Sequence, residues 1–382
     1  MTALPLDGVL VLDFSQFLAG PSAALRLADF GARVIKIERP RSGEATRGMG
    51  LAGAELDGDS LLFHTINRNK ESLAADLKDP GDHSVVVDLV KRADVLIQNF
   101  RPGVMERNGL GYEQVRELNP RLVYASVSGY GHEGPWRDKP GQDLVLQALT
   151  GLPWLNGRAA DPPTPFGLSI VDQFAGAQLC QGILACLVRR AVGGSGGLVE
   201  LSLLESALDL QFEGFTSFLN DSSAVPRRSS IGGAHPYISA PYGIYALADG
   251  YLAIAMVEVT RLGALLHAPE LSSFDDPEEW FARRDEIKAL VAEALAPRHI
   301  RDVLEVLEAD DVWCAEVLTW PELVSHEGFQ AADIVRDVGD GPRRFLATRC
   351  PIRIDGEILE SGRGAPRLGE HQALPTEREA WS

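Results

Sequence analysis

At 382 residues, 45% hydrophobic and 24% charged, the chain has the make-up of a globular protein long enough for two domains. Its 54 acidic residues against 36 basic ones leave a net charge of −18, which argues against general nucleic-acid binding, since phosphate neutralisation needs clustered Lys and Arg. The four cysteines show no CxxC spacing and the eight histidines no paired-ligand spacing, so reduced core thiols, a cytoplasmic setting and no metal are expected.

Gly8-Val-Leu-Val-Leu-Asp-Phe14 is a short apolar run of the kind that forms a buried parallel strand. Pro21 opens a helix and Gly31 closes it. Ala32-Arg-Val-Ile-Lys-Ile-Glu38 is the next strand, followed by strands over 72–77, 94–98 and 122–126 and helices over 82–91 and 112–118. Strand and helix alternate over short connections, which predicts an α/β fold with a doubly wound parallel sheet. Ligands of such sheets bind beyond the carboxyl ends of the strands, here Ser15–Ala19, Glu38-Arg39, Asn99-Phe100-Arg101 and Ser128–Tyr130. The first strand leads into Phe14-Ser-Gln-Phe-Leu-Ala-Gly-Pro21, which lacks GxGxxG, so NAD and flavin are disfavoured. The strand ends offer cations instead: Arg39, Arg41, Arg47, Arg68, Lys70, Arg101, Arg107 and Lys139. Gathered on one side of a sheet in an acidic chain, they suit a multiply phosphorylated ligand.

Asp172 is the only charged residue between Asp161 and Arg189. It follows Ser169, a candidate cap, at the head of an apolar helix over 173–190 expected to be buried on most sides. Unpaired N–H groups and the helix dipole favour an anion there, so the carboxylate is expected to be ionised at neutral pH. No apolar run approaches the ~18 residues of a membrane span, and no leader pattern follows Met1. The glycine cluster Gly193-Gly-Ser-Gly-Gly197 reads as a surface turn before a strand over 198–201.

Residues 202–220 continue helical and 221–230 form a polar linker. A small α+β domain follows, with a hairpin over 242–255 turning at Asp249-Gly250, helices over 285–295 and 300–307 with solvated acidic faces, and a strand over 312–318. The division is therefore a large domain over 1–220, linker and small domain over 221–325, and a return to the large domain over 326–382. Tyr237, Tyr242 and Tyr245 are candidates for an acyl pocket, although hairpin aromatics are more often core.

Val34-Ile-Lys-Ile-Glu-Arg39 with Ser42-Gly43 and Thr46-Arg47-Gly48 begins an ordered set of motifs. Asn67-Arg-Asn-Lys70, Asn99-Phe-Arg-Pro-Gly103, Ser128-Gly-Tyr-Gly131, Gly134-Pro135, Pro140-Gly141 and Leu368-Gly-Glu-His371 complete it. Together they resemble the family III CoA-transferases, which include formyl-CoA transferase, the carnitine CoA-transferases and α-methylacyl-CoA racemase. The resemblance implies coenzyme A or acyl-CoA as substrate, a small carboxylic acid as acceptor, no metal, no membrane and an interlocked homodimer. It implies Asp172 as the nucleophile, carrying an anhydride and then an aspartyl-CoA thioester. It places CoA on Phe17, Leu18, Arg39, Lys70, Asn99, Phe100, Arg107 and Lys139, with Phe100 able to stack on adenine. The family's glycine loop corresponds to Ile231-Gly-Gly-Ala-His-Pro236, with Gly232 and Gly233 as catalytic candidates.

Two departures narrow the function. Leu18 stands where the formyl-CoA enzyme has a catalytic glutamine, so oxalate is disfavoured as a substrate. Gln142 in Pro140-Gly-Gln-Asp143 stands where the racemases have a histidine base. A glutamine cannot take a proton from an α-carbon, so racemisation would need His132 or His235. A CoA-binding protein without turnover, in which Asp172 only caps its helix, is the remaining alternative.

Overall fold

Six short strands build one sheet: β1 (Leu10–Asp13), β2 (Arg33–Glu38), β3 (Lys70–Ala74), β4 (Val95–Gln98), β5 (Val123–Ser128) and β6 (Gly197–Ser202). The computed structural model describes residues 4–220, 227–359 and 362–372. The strand order is β3-β2-β1-β4-β5-β6, with every pairing parallel. A sheet covered on both faces needs apolar side chains in both directions. β1 shows this directly, since Leu10 and Leu12 enter one core cluster and Val11 the other. The doubly wound α/β expectation is met, and β1 and β4 flank the point where the winding reverses.

The helices that bear on the site are α1 (Ala19–Asp29), α2 (Leu61–Asn67), α3 (Pro80–Val90), α4 (Val104–Arg107), α5 (Tyr112–Leu118), α6 (Asp143–Leu149) and α7 (Ile170–Gly193). α1 and α7 supply Ala23, Leu27, Leu179 and Ile183 to one face of the sheet, while α3 and α5 supply Val86, Leu89 and Val115 to the other. α7 is three residues longer at each end than its apolar run suggested. It buries one face, through Val171, Ala175, Leu179, Ile183 and Leu187, and leaves Val188 and Val192 exposed. The expectation of burial on most sides is thus corrected: the sheet covers one stripe only. α7 is also long and apolar enough to cross a membrane by length and composition, contrary to the sequence reading. Its close approach to α1 accounts for a glycine inside it, because a Cβ on Gly176 would lie 2.1 Å from Ser22 Oγ and 2.8 Å from the Ala19 carbonyl oxygen.

The chain divides into two compact units. The first takes residues up to Leu146, Ser169–Leu210 and the chain from Ala332; the second takes Gln147–Leu168 and Gln211–Ala331. Segment 147–168 therefore leaves the large unit to which the sequence had assigned it. The reason is local: the Arg228 guanidinium donates to the carbonyls of Asn156, Asp161 and Pro162. Of the expected linker, residues 221–226 lie outside the described residues, and Arg228 and Ser229 are buried. In the second unit β7 (Gly243–Ala246), β8 (Tyr251–Ile254) and β9 (Cys314–Glu316) form an antiparallel sheet ordered β9-β8-β7. Tyr245 belongs to the core of this unit, with Leu252, Ile287, Val291 and Leu307.

Edge strand β3 is sealed by a distant segment. Ser72 exchanges hydrogen bonds with His371, donating to Nδ1 (3.3 Å) and accepting from its N–H (3.0 Å). The Gln372 amide meets the Ala74 N–H and carbonyl at 3.0 and 3.1 Å. The quoted Leu368-Gly-Glu-His371 motif thus lies against the sheet edge, where an unpaired ladder would otherwise invite another strand.

Gly176→Ala is expected to lower stability by about 1–3 kcal/mol through overpacking, although alanine is the better helix former by ~1 kcal/mol. Gly193→Ala, with open space around it in the same helix, should be neutral or stabilising. Urea-unfolding midpoints check the pair; a Gly176→Ala midpoint at or above wild type would refute the close contact.

Candidate active site

The site in the first unit is built where chain segments leave the carboxyl ends of β1 and β4. After β1, Phe17 takes a left-handed conformation (φ 64°) and its N–H donates to Glu44 Oε1 at 2.8 Å. That turn aims the chain into α1, for which Leu18 is the N-cap residue, and leaves the Phe17 side chain exposed. After β4, the Asn99 amide grips the Gln16 backbone at both ends, accepting from its N–H at 2.8 Å and donating to its carbonyl at 2.7 Å. Asn99 therefore clasps the two loops across the reversal point, and half-buried Phe100 follows it.

The cations separate into two groups. Arg39, Arg41, Arg101, Arg107 and Lys139 are exposed and form no ion pair among the described residues; Lys139 sits 5.8 Å from the Trp136 ring. Arg47, Arg68 and Lys70 are buried in ion pairs. Arg47 bridges Glu38 and Asp59 and stacks 3.8 Å over Phe63, and Arg68 pairs with Asp29 at 2.6 Å. Lys70 is 1% exposed. Its three donors are taken by Asp13 Oδ2 (2.8 Å), the Pro21 carbonyl (2.9 Å) and Asn67 Oδ1 (2.9 Å). This departs from the sequence expectation of a ligand-holding lysine: an ammonium with three internal acceptors has no donor left for a phosphate. Lys36 also faces Asp13 at 3.5 Å. Despite the penalty of burial, these ammonium groups hold the Asp13 carboxyl down to about 2, and burial brings Lys70 down to about 8.

Asp172 lies in the first turn of α7, half-buried. Its side chain has no hydrogen-bond partner among the described residues. Ser169 makes no side-chain cap. The cap is Asp143, whose Oδ2 accepts from the N–H groups of Val171 (2.8 Å) and Asp172 (3.1 Å). Asp143 is itself buried, at the start of α6. Next to it, Gln142 Oε1 accepts from Leu144 N–H at 3.1 Å. Burial, and secondly the Asp143 charge, push Asp172 up to about 7. The expectation of a readily ionised carboxylate is overturned: a helix N-terminus contributes ~0.3–1 kcal/mol, whereas a shift of this size is worth roughly 4 kcal/mol. Nothing in the sequence marks Asp143 as the cap, because its partners lie 28 and 29 residues away and no spacing rule reveals such a contact.

In the second unit Gly232 is buried with φ +58°, and Gly233 is half-buried. A Cβ on Gly233 would lie 2.6 Å from the Gly157 carbonyl oxygen, so the loop follows another backbone too closely for any side chain. The racemase alternatives are occupied elsewhere: His132 contacts Glu200 at 3.1 Å and His235 contacts Glu213 at 2.9 Å. Among the described residues no cluster of His, Cys, Asp or Glu could hold a metal, and all four cysteines are free.

The profile of CoA-transferase family III matches residues 6–372. The chain is 32% identical to a succinate–glutarate CoA-transferase of Agrobacterium fabrum, over 97% of this chain and 94% of that one. It is 33% identical to an acetyl-CoA:oxalate CoA-transferase of Acetobacter aceti, with the same coverages. The structure of a CAIB/BAIF family protein from Brucella suis superposes with a TM-score of 0.83 at 31% identity, covering 97% of this chain and 98% of that one.

Because the unfolded Asp172 ionises near 3.8 and the folded group near 7, the folded chain holds an extra proton between those values. Its contribution to stability is therefore present below about 3.8 and lost as pH rises through 7. Asp172→Asn is expected to unfold at higher denaturant than wild type at about pH 8, by up to roughly 4 kcal/mol, with the gap closing toward about pH 4. Identical midpoints at the alkaline end would show that the carboxylate is freely solvated.

Proposed function

Since the chain belongs to CoA-transferase family III, we propose that it moves CoA between an acyl-CoA donor and a small carboxylic acid with Asp172 as nucleophile. The observation that carries this reading is the unbonded Asp172 carboxylate at the head of α7, made more basic by burial and by Asp143. A carboxylate oxygen of Asp172 attacks the thioester carbonyl, and CoA thiolate leaves to give a mixed anhydride. The thiolate then attacks the aspartyl carbonyl carbon, releasing the donor acid and leaving CoA on Asp172 as a thioester. The acceptor carboxylate attacks that thioester, regenerating an anhydride and thiolate. Attack of the thiolate on the acceptor's acyl carbon gives the new acyl-CoA and frees Asp172. Burial disfavours the anionic carboxylate and leaves the neutral anhydride and thioester untouched, so it favours each step that acylates Asp172.

For CoA, the exposed Arg39, Arg107 and Lys139 supply charge for the phosphates, Phe100 a face for adenine, and Phe17 and Leu18 the turn over which the thiol arm runs. Asn99 acts by clasping the loops. In this reading Lys70 supports the site from below and makes no ligand contact. By resemblance, Gly232 and Gly233 of the glycine loop remain catalytic candidates, and the working form is an interlocked homodimer. Four free thiols suit the cytoplasm. The two relatives act on succinate, glutarate and oxalate by name, which supports a small acid as acceptor. Leu18 offers no hydrogen bond to one, which disfavours oxalate here.

Intact-mass spectrometry after incubation with a panel of acyl-CoAs, with hydroxylamine trapping, tests the covalent step. A CoA-sized adduct is expected in wild type and absent in Asp172→Ala. No adduct alongside undiminished CoA binding would favour a CoA-binding protein, and deuterium uptake at an α-carbon would favour an isomerase. The donor kcat/KM should rise with pH through about 7. Asp143→Asn, which keeps a cap oxygen and removes the charge, should move that limb to lower pH.

A further inference from the structure

Phe17 holds a left-handed backbone conformation (φ 64°) that costs a non-glycine residue energy and persists only where its surroundings enforce it. Two contacts enforce it here. The Asn99 amide fixes residue 16 from one side, and Glu44 Oε1 takes the Phe17 N–H from the other at 2.8 Å. Glu44 falls in the gap between the motifs Ser42-Gly43 and Thr46-Arg47-Gly48.

Glu44 is 3% exposed and forms no ion pair among the described residues. Its carboxylate collects local donors instead: the N–H groups of Phe17 and Thr46 (3.0 Å) on Oε1, and the Thr46 hydroxyl on Oε2. The Thr46 contacts cap the single turn Ala45–Gly48, a task that a serine would do without charge. Burying a carboxylate is a costly way to cap four residues. It suits a strained peptide better, because a carboxylate accepts hydrogen bonds about twice as strong as a neutral oxygen does. The clamp is itself anchored. Glu44 N–H donates to Glu38 Oε2 (3.0 Å), and Glu38 is gripped by Arg47 (two contacts of 2.8 Å) and by the Ser72 hydroxyl (2.6 Å). Ser72 Oγ in turn accepts from Gly369 N–H at 3.0 Å. Phe17 is therefore tied through Glu44 to β2, β3 and the segment that seals the sheet edge.

What this turn positions lies in the same unit. Leu18 opens α1, and Ala19 meets α7 at Gly176, where a Cβ would lie 2.8 Å from the Ala19 carbonyl oxygen. Asp172 is one helical turn before Gly176 on the same side of α7, ~6 Å along its axis. Relaxing residue 17 toward an ordinary φ would swing Phe17 and Leu18 relative to Asp172.

We propose that Glu44 is a positioning residue for the transfer reaction: by holding the Phe17 N–H it keeps the turn left-handed and sets Phe17 and Leu18, over which the thiol arm runs, in register with Asp172. This rests on the transferase reading above. Arg39, Arg107 and Lys139 stand on other segments, so losing the clamp acts on the alignment of the thioester more than on the grip on CoA. Misplacing a reacting group by about 1 Å can cost 10²-fold in rate.

The test compares wild type, Glu44→Ser and Glu44→Gln. Serine is a preferred cap and keeps the Thr46 N–H satisfied, while its short side chain withdraws from Phe17. Glutamine keeps Oε1 for both N–H groups, and the Thr46 hydroxyl can turn to accept from its amide. Donor kcat and KM, CoA Kd and deuterium exchange over residues 14–20 are measured for each. Glu44→Ser is expected to lose about tenfold to 10²-fold in kcat, with exchange at Phe17 raised. Its donor KM and CoA Kd should stay within about threefold, and Glu44→Gln should match wild type to about threefold throughout. Wild-type kcat in Glu44→Ser would overturn the proposal, since a cap alone would then suffice. So would equal losses of kcat and CoA affinity, which mark a merely structural brace, or a Glu44→Gln as slow as Glu44→Ser, which assigns the effect to charge. Should Glu44→Ser fail to fold, Glu44→Gln decides: unchanged kcat and exchange support the clamp, and a loss of about tenfold overturns it. A wild type that transfers CoA from no donor would overturn the transferase reading itself, an outcome distinct from an active wild type with an equally active Glu44→Ser.

Discussion

Two backbone N–H groups at the head of α7, those of Val171 and Asp172, are the constraint on which the aspartyl site depends. They have to be given an acceptor, and the residue that meets them is Asp143, not the adjacent Ser169. A serine would have satisfied the same groups without charge. A buried carboxylate does so while standing as a fixed negative charge beside Asp172, which makes that group harder to ionise and, once ionised, more basic. The choice of capping residue thus sets both where α7 begins and how readily Asp172 ionises.

A second theme is the division of labour among cations that look alike in sequence. Arg39 and Lys70 both lie at the ends of strands, yet one is exposed and the other is sealed on Asp13 with Lys36. Removing one partner of a buried pair leaves an uncompensated charge and costs ~3–5 kcal/mol. The Asp13 group therefore works as a rigid floor for the loop after β1, tying β1 to β2, β3 and α2 through charge-assisted bonds. The exposed cations, Arg39 among them, form no ion pair among the described residues, and this floor asks nothing of them.

The sheet was legible where a strand is an apolar run bounded by turn residues, as in Gly8 to Phe14; the strand expected over 72–77 begins two charged residues earlier, at Lys70. Its parallel, doubly wound character followed from strand–helix alternation. The long helix was legible in its middle and short at both ends, since Ile170 and Gly193 belong to it by hydrogen bonding and not by polarity. Asp172 and the glycine loop were legible as motifs. What held them was not: Asp143 is distant in sequence, and the outward side of α8 (Arg284–Leu295) looks the same whether it faces water or, as Asp285 does, the N–H of Ser230. Residue type told which side chains carry charge, and burial, which sequence does not display, decided their use for Arg47, Arg68 and Lys70. Segment 147–168 changed units because three of its carbonyls are claimed by Arg228, a contact between residues more than sixty positions apart.

The strap across β3 has a consequence for how the protein is made. His371 meets Ser72 across 299 residues of chain, so a ribosome at ~5–20 residues per second exposes the strand edge for tens of seconds before its cover exists. During that interval the edge is protected only by what it carries, and β3 begins Lys70-Glu71, two charges within a row of open N–H and carbonyl groups. The nascent sheet must also hold its other strands in register without the final clasp. The strap is therefore a late checkpoint of synthesis: a chain interrupted before residue 369 presents a finished-looking sheet with one side unsealed, the form most prone to pair with a neighbour on the same polysome.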